Sequence, residues 1–407
     1  MRIRRRYLFY LLAILSSIAL STAATFDSII SANYIKEPWV FCLSFFILGL
    51  IFTILILLFL SLPYKDKKIG SFLDPSFRGI RMIKKEELGY HLIAGLGNAG
   101  TTIGYYFIVS RLVEPSIILS FSQLVILYLL LVEAVAENNA PTFAEVQSAM
   151  VVTFGAILGS ISLSGNVDLK ALLIVLLVVN PTWVMFSIGQ RKLKILRING
   201  KANDSLNIRL WNLIFTTIFV FIAIIFVDKN YVSESWKAIK NSFEFLIVGV
   251  IATFFSVVLF IRAMGMGKAS VTQAIRSSSI FISIPFFYIA GKFFPITIST
   301  DSLLIILKII GLMLVMIGVI SFALTEVKAY IFINIKPCYS IAKLSHQILD
   351  IKGITAVDVT AGSYDIIAKV RTRTLGKGYE RIVRALENIK GIENFKWQSI
   401  LKEWEEI

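Results

Sequence analysis

The sequence predicts a polytopic α-helical membrane protein with a small α+β domain at its C-terminal end. Hydrophobic residues make up 57% of the 407 positions, whereas roughly 45–50% is usual for a soluble globular chain. They are grouped into runs of the roughly 20 residues that a helix needs to cross a bilayer. Beyond Ala329 the apolar runs shorten and charged residues are interspersed, which is typical of a soluble domain.

Ten apolar runs are predicted to span the membrane as helices. They are 7–31, 38–60, 88–110, 115–136, 142–163, 170–190, 207–227, 243–264, 270–290 and 302–324. The first run follows the basic segment MRIRRR and ends near small residues, so it also has the features of a cleaved signal peptide. We favour an uncleaved first helix, because the apolar run continues beyond Ala24 and many spans follow.

Basic residues in three segments indicate the orientation of these runs. They precede the first run and fill the loops after the second and the sixth runs. With ten spans all three segments lie on one side, which the positive-inside rule assigns to the cytoplasm. Both termini are therefore expected in the cytoplasm and the spans in the cell membrane, in contact with lipid. The net charge of +15 is accounted for in this way, so no nucleic-acid partner is predicted.

The apolar part repeats itself as two five-helix halves, 1–165 and 166–325. The segment VEPS before the fourth run aligns with GKAS before the ninth, and Pro141 aligns with Pro295. Because five is odd, two such halves have opposite orientations in the membrane. Inverted repeats of this kind are the usual plan of secondary transporters, whose substrate site lies near the midplane at the repeat interface.

The ninth run carries polar side chains where a helix in a bilayer should avoid them. Thr272, Arg276, Ser279 and Ser283 fall at i, i+4, i+7 and i+11, so they share one helix face. Unpaired polar groups in hydrocarbon are costly, so this face must contact protein or a water-filled cavity. Arg276 would attract an anionic group of a substrate, such as a carboxylate. Alternatively, its side chain extends to the cytoplasmic interface, which is about 9 Å away along the helix.

Polar residues of other runs complete the predicted transport cavity. Asn180 and Trp183 flank Pro181, which marks a kink in the sixth run because proline lacks an N–H group. The predicted cavity residues are Asn98, Thr102, Tyr106, Ser120, Gln123, Asn180, Trp183, Thr272, Gln273, Arg276 and Ser279. In the alternative interpretation, these side chains only join helices to one another. Asp27, near the outer end of the first run, is a weaker candidate for proton coupling.

The C-terminal segment 326–407 alternates between strand and helix patterns. Its predicted elements are strands at 329–336, 356–360, 365–372 and 394–401 and helices at 340–351 and 375–389. The motif IKGI occurs at the end of both helices, where glycine is suited to a left-handed cap. Two βαβ halves in this order predict a ferredoxin-like fold. About four residues separate this domain from the last span, so it is held close to the membrane.

Motifs of small residues lie around the eighth and ninth runs. They are Ala263-Met264, Ala269-Ser270, Ala274 and Gly291. Through them the membrane part, about 320 residues, resembles the EamA-type members of the drug/metabolite transporter superfamily. The chain departs from that pattern at Ser279-Ile280, where the family often has Glu-Pro, and at Lys292, where it has Glu. The resemblance implies two five-helix repeats and export of a small polar metabolite such as an amino acid.

A further motif lies in the C-terminal segment, where Gly362-Ser-Tyr-Asp365 precedes the strand IIAKV. It resembles the Gly-x-Tyr-Asp motif of the RAM domain, the effector-binding half of Lrp/AsnC-type regulators. The resemblance implies a homodimer formed through the sheets and an amino-acid effector bound at Gly362, Tyr364 and Asp365. Without it, the glycine and the aspartate are explained as ordinary turn residues.

Residues that catalysis or metal binding requires are scarce in this chain. It has two histidines and two cysteines, no HExxH motif and no glycine-rich phosphate loop. We therefore expect no enzyme activity, no catalytic residues, no metal and no cofactor. The leading hypothesis is a transporter of a small-molecule substrate with a sensing domain. Two others stay open: a membrane-anchored sensor or scaffold without transport, and a flippase of lipid-linked sugars.

Overall fold

A computed structural model describes most of the chain, and its residues form two compact units. Described are residues 5–111, 124–136, 143–160, 173–198, 200–267, 269–294, scattered positions from 303 to 321, 327–351, 353–372 and 375–400. The first unit comprises Met1–Pro141 with Gln147–Val319, and the second comprises Thr142–Val146 with Ile320–Ile407. The subdivision of the first unit at residue 165 stays a prediction.

The described residues of the N-terminal part are mainly helical. Its helices are α1 (Arg5–Asn33), α2 (Pro38–Leu60), α3 (Lys85–Arg111), α4 (Val125–Ala136), α5 (Phe143–Ser160), α6 (Asn180–Ile195), α7 (Ser205–Val227), α8 (Asn230–Asn241), α9 (Phe243–Met264), α10 (Ala269–Arg276) and α11 (Ser279–Phe293). Two small hairpins lie in the turns after α2 and α6. Their strands are β1 (Pro63–Tyr64), β2 (Lys67–Lys68), β3 (Arg197–Ile198) and β4 (Lys201–Ala202).

Within the described residues, five helices are long and apolar enough to cross a membrane. They comprise Tyr7–Asn33, Pro38–Leu60, Lys85–Ser110, Ser205–Val227 and Phe243–Met264. The first, second, third, seventh and eighth predicted runs are thus confirmed as long apolar helices. The fourth, fifth and tenth predicted runs fall partly on residues outside the described ranges, so the total of ten spans stays a prediction.

Regular helical structure is disturbed in two of the predicted spans, the sixth and the ninth. The disturbance in the ninth was not predicted from the sequence. In the sixth, a π-helical turn at Val175–Val179 directly precedes Pro181, whose missing N–H group disturbs the regular bonding. In the ninth, the helix ends at Arg276 and a new helix begins at Ser279. Ser277 at this break donates from its hydroxyl to the Ala274 carbonyl at 2.5 Å, a local bond that competes with helix bonding.

Glycines bring α3 into backbone contact with α6. A Cβ atom added to Gly97 would lie 2.5 Å from the Phe186 nitrogen and 2.6 Å from the Thr182 carbonyl oxygen. Three residues earlier on α3, Ala94 touches Gly189, so the two helices run antiparallel. Small residues at interfaces are typical of helices in membranes, where close packing rather than exclusion from water holds helices together.

The second unit contains a four-stranded antiparallel sheet in the order β6-β7-β5-β8. Its elements are β5 (Val327–Ile335), α12 (Ile341–Leu349), β6 (Ile354–Val359), β7 (Ile366–Thr372), α13 (Leu375–Glu387) and β8 (Ile392–Ile400). Alternate residues of β5 and β7 are fully buried, as the two-residue period of a strand requires. They form one core with Leu344 and Ile348 of α12 and with Ile382 and Leu386 of α13.

The two glycines predicted as left-handed helix caps differ in the structure. Gly353 has a φ of 111°, as predicted. The expectation for Gly391 is wrong, because its φ is not positive. A Cβ atom at Gly391 would instead lie 2.9 Å from both Tyr339 and Leu344, so glycine is required there by close packing.

Replacing Gly97 by alanine is expected to destabilise the helical part, because the added carbon meets backbone atoms of α6 that cannot move aside. A loss of about 1–3 kcal/mol in the free energy of unfolding is typical of overpacking. Gly89→Ala, on the same helix, is the matched control, since a Cβ atom added there would have no other atom within 4 Å. Thermal unfolding of both variants in detergent checks this, and equal stability would contradict it.

Candidate functional site

Arg276 is the largest fully buried side chain among the described residues, with 1% of its surface exposed. Its guanidinium carbon lies 4.4 Å from the centre of the Phe260 ring and 5.2 Å from that of Trp183. Nη2 donates to the Ser256 hydroxyl at 2.9 Å. Nε and Nη1 have no hydrogen-bond partner in the described part of the chain. The cation is thus held by aromatic faces inside the bundle, and two of its donor nitrogens are available.

Trp183 joins Arg276 to a second residue of α10. Its indole Nε1 donates to the Gln273 Oε1 at 3.3 Å, and Gln273 lies one helical turn before Arg276. Trp183, Gln273 and Arg276 were predicted as cavity residues from separate parts of the chain, and the structure brings them into contact. Their cavity role stays a prediction.

One face of α6 extends this polar cluster. Asn180, Ser187 and Gln190 are fully buried, and their side-chain polar atoms have no partner among the described residues. With Trp183 they occupy positions i, i+3, i+7 and i+10, so all four share one face. Buried polar atoms are normally bonded to protein or to ordered water, so this face is suited to contact with a solute. The sequence analysis missed Ser187 and Gln190, although their spacing from Trp183 was visible.

Serines of α1 hold this helix against the break between α10 and α11. Ser17 donates to the carbonyl of Arg276 at 3.2 Å, and Ser21 donates to the carbonyl of the first residue of α11 at 2.7 Å. Ser16 and Ser256 bond reciprocally, each hydroxyl to the other's carbonyl, at 2.8 and 3.1 Å. The register shows that α1 runs parallel to α10 and α11. The serines of α1 were not predicted as contact residues, because the run that contains them was considered mainly as a possible signal peptide.

Two other predicted cavity residues, Asn98 and Tyr106, form hydrogen bonds to residues other than Arg276. Asn98 donates to the Thr216 hydroxyl at 3.1 Å, and Tyr106 donates to the Asp27 carboxylate at 3.3 Å. The Tyr106 ring also stacks on Phe41, with centres 4.0 Å apart. Of the remaining predicted cavity residues, Thr102 is half-buried and Thr272 and Ser279 are buried. Ser120 and Gln123 lie outside the described residues.

A buried polar network, formed by Asp74, Arg81, Glu87, Lys194 and Asn203, joins the segment after α2 to the turn after α6. Lys194 Nζ lies 2.6 Å from Asp74 Oδ2. Arg81 binds both Glu87 oxygens, at 2.6 and 2.7 Å, and also donates to Asn203 Oδ1 at 2.7 Å. Asn203 donates in turn to Glu87 Oε1 at 2.7 Å. From the sequence, the basic residues of these loops served only to predict the orientation of the spans in the membrane, and the acidic residues beside them were not considered.

Charges in and beside this network shift one another's protonation. Burial raises the pKa of Asp74, but the Lys194 ammonium and the Ser205 hydrogen bonds outweigh burial and hold it below the ordinary value. The hydrogen bond to Glu87 raises the pKa of the Arg81 guanidinium. Burial raises the pKa of Asp204, which caps α7 by accepting the Asn207 N–H at 2.7 Å. The Asp74 carboxylate is therefore held in its charged form.

In the C-terminal unit, two of the three predicted effector residues, Asp365 and Tyr364, make contacts with β5. Asp365 Oδ2 accepts the Ile335 N–H at 2.8 Å, so its carboxylate closes the end of β5. The Tyr364 ring lies 5.1 Å from the Phe332 ring. Gly362 is exposed with open space around it. These contacts account for Asp365 without an effector, and the effector role of all three stays a prediction.

An open groove of about 650 Å³ lies on the same unit, between α12 and the segment after α13. Lys343, Lys390 and Asp350 supply charges of both signs at its walls. The rest of the lining consists of Tyr339, Ser340, Leu344, Gln347, Ile351, Ala385, Asn388 and Ile389. A groove with this lining can accept a small zwitterion. None of the predicted effector residues lines it.

The comparisons with known proteins concern first the C-terminal domain. Residues 328–406 match the family model described as "Lrp/AsnC ligand binding domain". The predicted relation of this domain to Lrp/AsnC regulators is confirmed. Domains of this family typically bind small-molecule effectors and oligomerise. No curated protein matches the chain.

A solved structure extends the likeness to the helical part. Titled only "Crystal structure of protein", it matches 80% of this chain and 99% of its own, with 15% identity and a TM-score of 0.50. Residues 328–406 alone cannot supply 80% of the chain, so the likeness includes helices of the N-terminal part. At this identity it concerns the fold alone.

Replacing Asp74 by asparagine is expected to destabilise the helical part, since the Lys194 ammonium would be left buried without its counter-charge. Breaking one partner of a buried pair typically costs about 3–5 kcal/mol. The added change Lys194→Met should recover most of the loss. Because folding lowers the pKa of Asp74, the advantage of the wild type is present at neutral pH and disappears as the pH falls below about 3.9.

Chemical unfolding of the full-length single and double variants in detergent, at two pH values, checks this expectation. A double variant as unstable as Asp74→Asn alone would show that the ion pair is not the cause.

Replacing Asp365 by alanine is expected to loosen the junction of β5 and β7, because the Ile335 N–H loses its acceptor. The net contribution of one such half-buried hydrogen bond is typically about 0.5–1.5 kcal/mol. Gly362→Ala, in open space of the same turn, should change little. Hydrogen exchange of the strand amides in the full-length protein measures both. Unchanged protection in Asp365→Ala would reopen an effector role as the main function of this carboxylate.

Proposed function

We propose that the protein is a membrane transporter of a small polar metabolite whose C-terminal domain senses a small-molecule effector. The observation that carries the proposal is the burial of Arg276 with unpaired donors between Trp183 and Phe260. A charged side chain inside membrane helices is expensive and marks a functional site by default. A bundle that serves only as an anchor has no use for it.

The chemistry around Arg276 favours a substrate with an anionic group. Arginine binds carboxylates through charge-assisted hydrogen bonds, which are strong where water is excluded. The unpaired amide and hydroxyl groups on the α6 face, at Asn180, Ser187 and Gln190, offer acceptors for an ammonium group. An amino acid or a close relative carries both groups. This is the substrate class that we propose.

The helix directions support the proposed arrangement of ten spans in an inverted five-plus-five repeat of the EamA type. The first and ninth spans should run the same way and the eighth the opposite way. In agreement, α1 runs parallel to α10 and α11. The break between α10 and α11 is also a feature of secondary transporters, which build substrate sites from discontinuous helices.

The C-terminal domain would add sensing and pairing to transport. Its strand order and its match to Lrp/AsnC domains support a ferredoxin-like fold that binds an amino-acid effector and joins two chains. Both termini would be cytoplasmic, in a multi-pass protein of the cell membrane, as the basic segments indicate. A sensor on the cytoplasmic side favours export, with the internal solute controlling its own removal.

Thermal unfolding of the full-length protein with each of the twenty amino acids is expected to identify a ligand. At a hundred times its dissociation constant, a ligand adds about 2.7 kcal/mol of stability. Arg276→Gln should abolish the shift if the ligand occupies the helical site, and Lys343→Glu should abolish it if the ligand occupies the groove of the C-terminal domain. Two additive shifts would identify substrate and effector together.

Flux of the identified amino acid in proteoliposomes then tests transport. Arg276→Gln is expected to lose it, while the matched variant Arg262→Gln, whose side chain bonds the Leu73 carbonyl at one helix end, should retain it. Binding without flux in the wild type would favour a membrane-anchored sensor. Movement of a lipid-linked sugar without response to amino acids would favour a flippase.

A further inference from the structure

A buried carboxylate, Asp27, lies on α1. Its side chain is buried, with 6% exposed. Oδ1 accepts the Tyr106 hydroxyl at 3.3 Å, and the neighbouring Tyr105 is also close enough to interact with the carboxylate. On the α9 side, a Cβ atom at Gly249 would lie 3.9 Å from Oδ1, so that helix approaches without a side chain between them.

The elements around α1 supply no counter-charge to Asp27. The titratable groups that interact with it are Tyr105 and Tyr106 of α3, and the buried Cys42 thiol of α2 lies near Tyr106; phenols and thiols are ordinarily neutral near pH 7. On α11, Lys292 is exposed and lies 4.9 Å from the Tyr288 ring centre. The remaining charged groups on the helices packed against α1 are Arg276 of α10 and residues at helix ends, namely Glu244 and Arg262 of α9 and Lys85, Glu86, Glu87 and Arg111 of α3. No ion pair joins Asp27 to a basic group among the described residues.

Arg276 is too far along α1 to neutralise Asp27. Ser17 bonds the carbonyl of Arg276, and Asp27 lies ten residues further along the helix, which corresponds to about 15 Å. The guanidinium is moreover held between Phe260 and Trp183. Among the described residues, the buried Asp27 carboxylate is thus not paired with either of the two buried arginines, Arg209 and Arg276.

A carboxylate in such surroundings gains by taking up a proton. An unpaired charge in a medium of low polarity is far costlier than the neutral acid. The tyrosine hydroxyls suit both states, because a phenol donates to a carboxylate and accepts from a carboxylic acid. A group that can be stabilised in either state can exchange its proton without rearranging the fold.

We propose that Asp27, with Tyr106, is a proton-binding site that is loaded and emptied during transport. One proton from the aqueous phase joins the carboxylate to give the acid and leaves it again on release, with no other reactant needed. The coupling to solute movement rests on the transport function proposed above, whereas proton binding by Asp27 does not.

Infrared difference spectra of the full-length protein in liposomes, between about pH 5 and about pH 9, test proton binding without any substrate. The expected result is a carbonyl stretching band of a protonated carboxylic acid that disappears towards high pH and is absent from Asp27→Asn. Tyr106→Phe should shift the band and its midpoint, because the acid loses one hydrogen-bond partner. Asp66→Asn, on an exposed turn, should leave the spectrum unchanged.

A spectrum of Asp27→Asn identical to that of the wild type would overturn the proposal. So would stabilisation of the wild type, but not of Asp27→Asn, by sodium ions at constant pH, since the site would then bind a metal cation instead. Proteoliposomes with an internal pH dye test the coupling. Solute-driven proton movement should be lost in Asp27→Asn, while exchange of labelled for unlabelled solute persists. Solute flux without proton movement in the wild type would overturn the coupling.

Discussion

The burial of the Arg276 guanidinium determines which groups the surrounding helices must place beside it. A cation inside a bundle of apolar helices needs partners, and it finds two aromatic rings and one hydroxyl rather than a carboxylate. The helix that carries it ends at the same residue, and serines of α1 donate to the carbonyls of Arg276 and Ser279 on the two sides of the break. The position of α1 thus follows from the need to satisfy polar groups where no water can do so. The arginine keeps unpaired donors, and that is why we assign it a ligand.

The sequence predicted those features that depend on composition and local period. Long apolar helices, the strand and helix order of the C-terminal domain and its Lrp/AsnC relation all follow from patterns within one segment. From the sequence, Trp183, Gln273 and Arg276 could be predicted only as polar residues within apolar runs, and not as residues in contact with one another. Their distances depend on how distant helices pack, which no single segment contains. The break at Ser277 was not predicted, because serines are tolerated inside helices and the hydroxyl bond to the Ala274 carbonyl is visible only in the structure.

Asp365 shows the limit of reasoning from a motif. Its place in Gly362-Ser-Tyr-Asp365 pointed to an effector, yet its carboxylate closes the end of β5 through the Ile335 N–H. A motif that fixes a turn needs no ligand to account for its residues. The groove beside α12 lies away from that motif and is lined by residues with no common sequence signature. Such a surface can be found only from coordinates.

The packing of the helices divides the bundle along a seam. The α1 helix packs chiefly on α9 and α11, whereas α3 packs chiefly on α6 and α7, with its glycines in backbone contact with α6. In the transport function proposed above, a change of access would move one of these groups relative to the other. Arg276 with Trp183 and Asp27 with Tyr106 both lie across this seam, one partner on each side. In the transport function proposed above, occupancy at either pair would therefore act on the contact between these two groups of helices, so that a solute and a proton influence each other without touching.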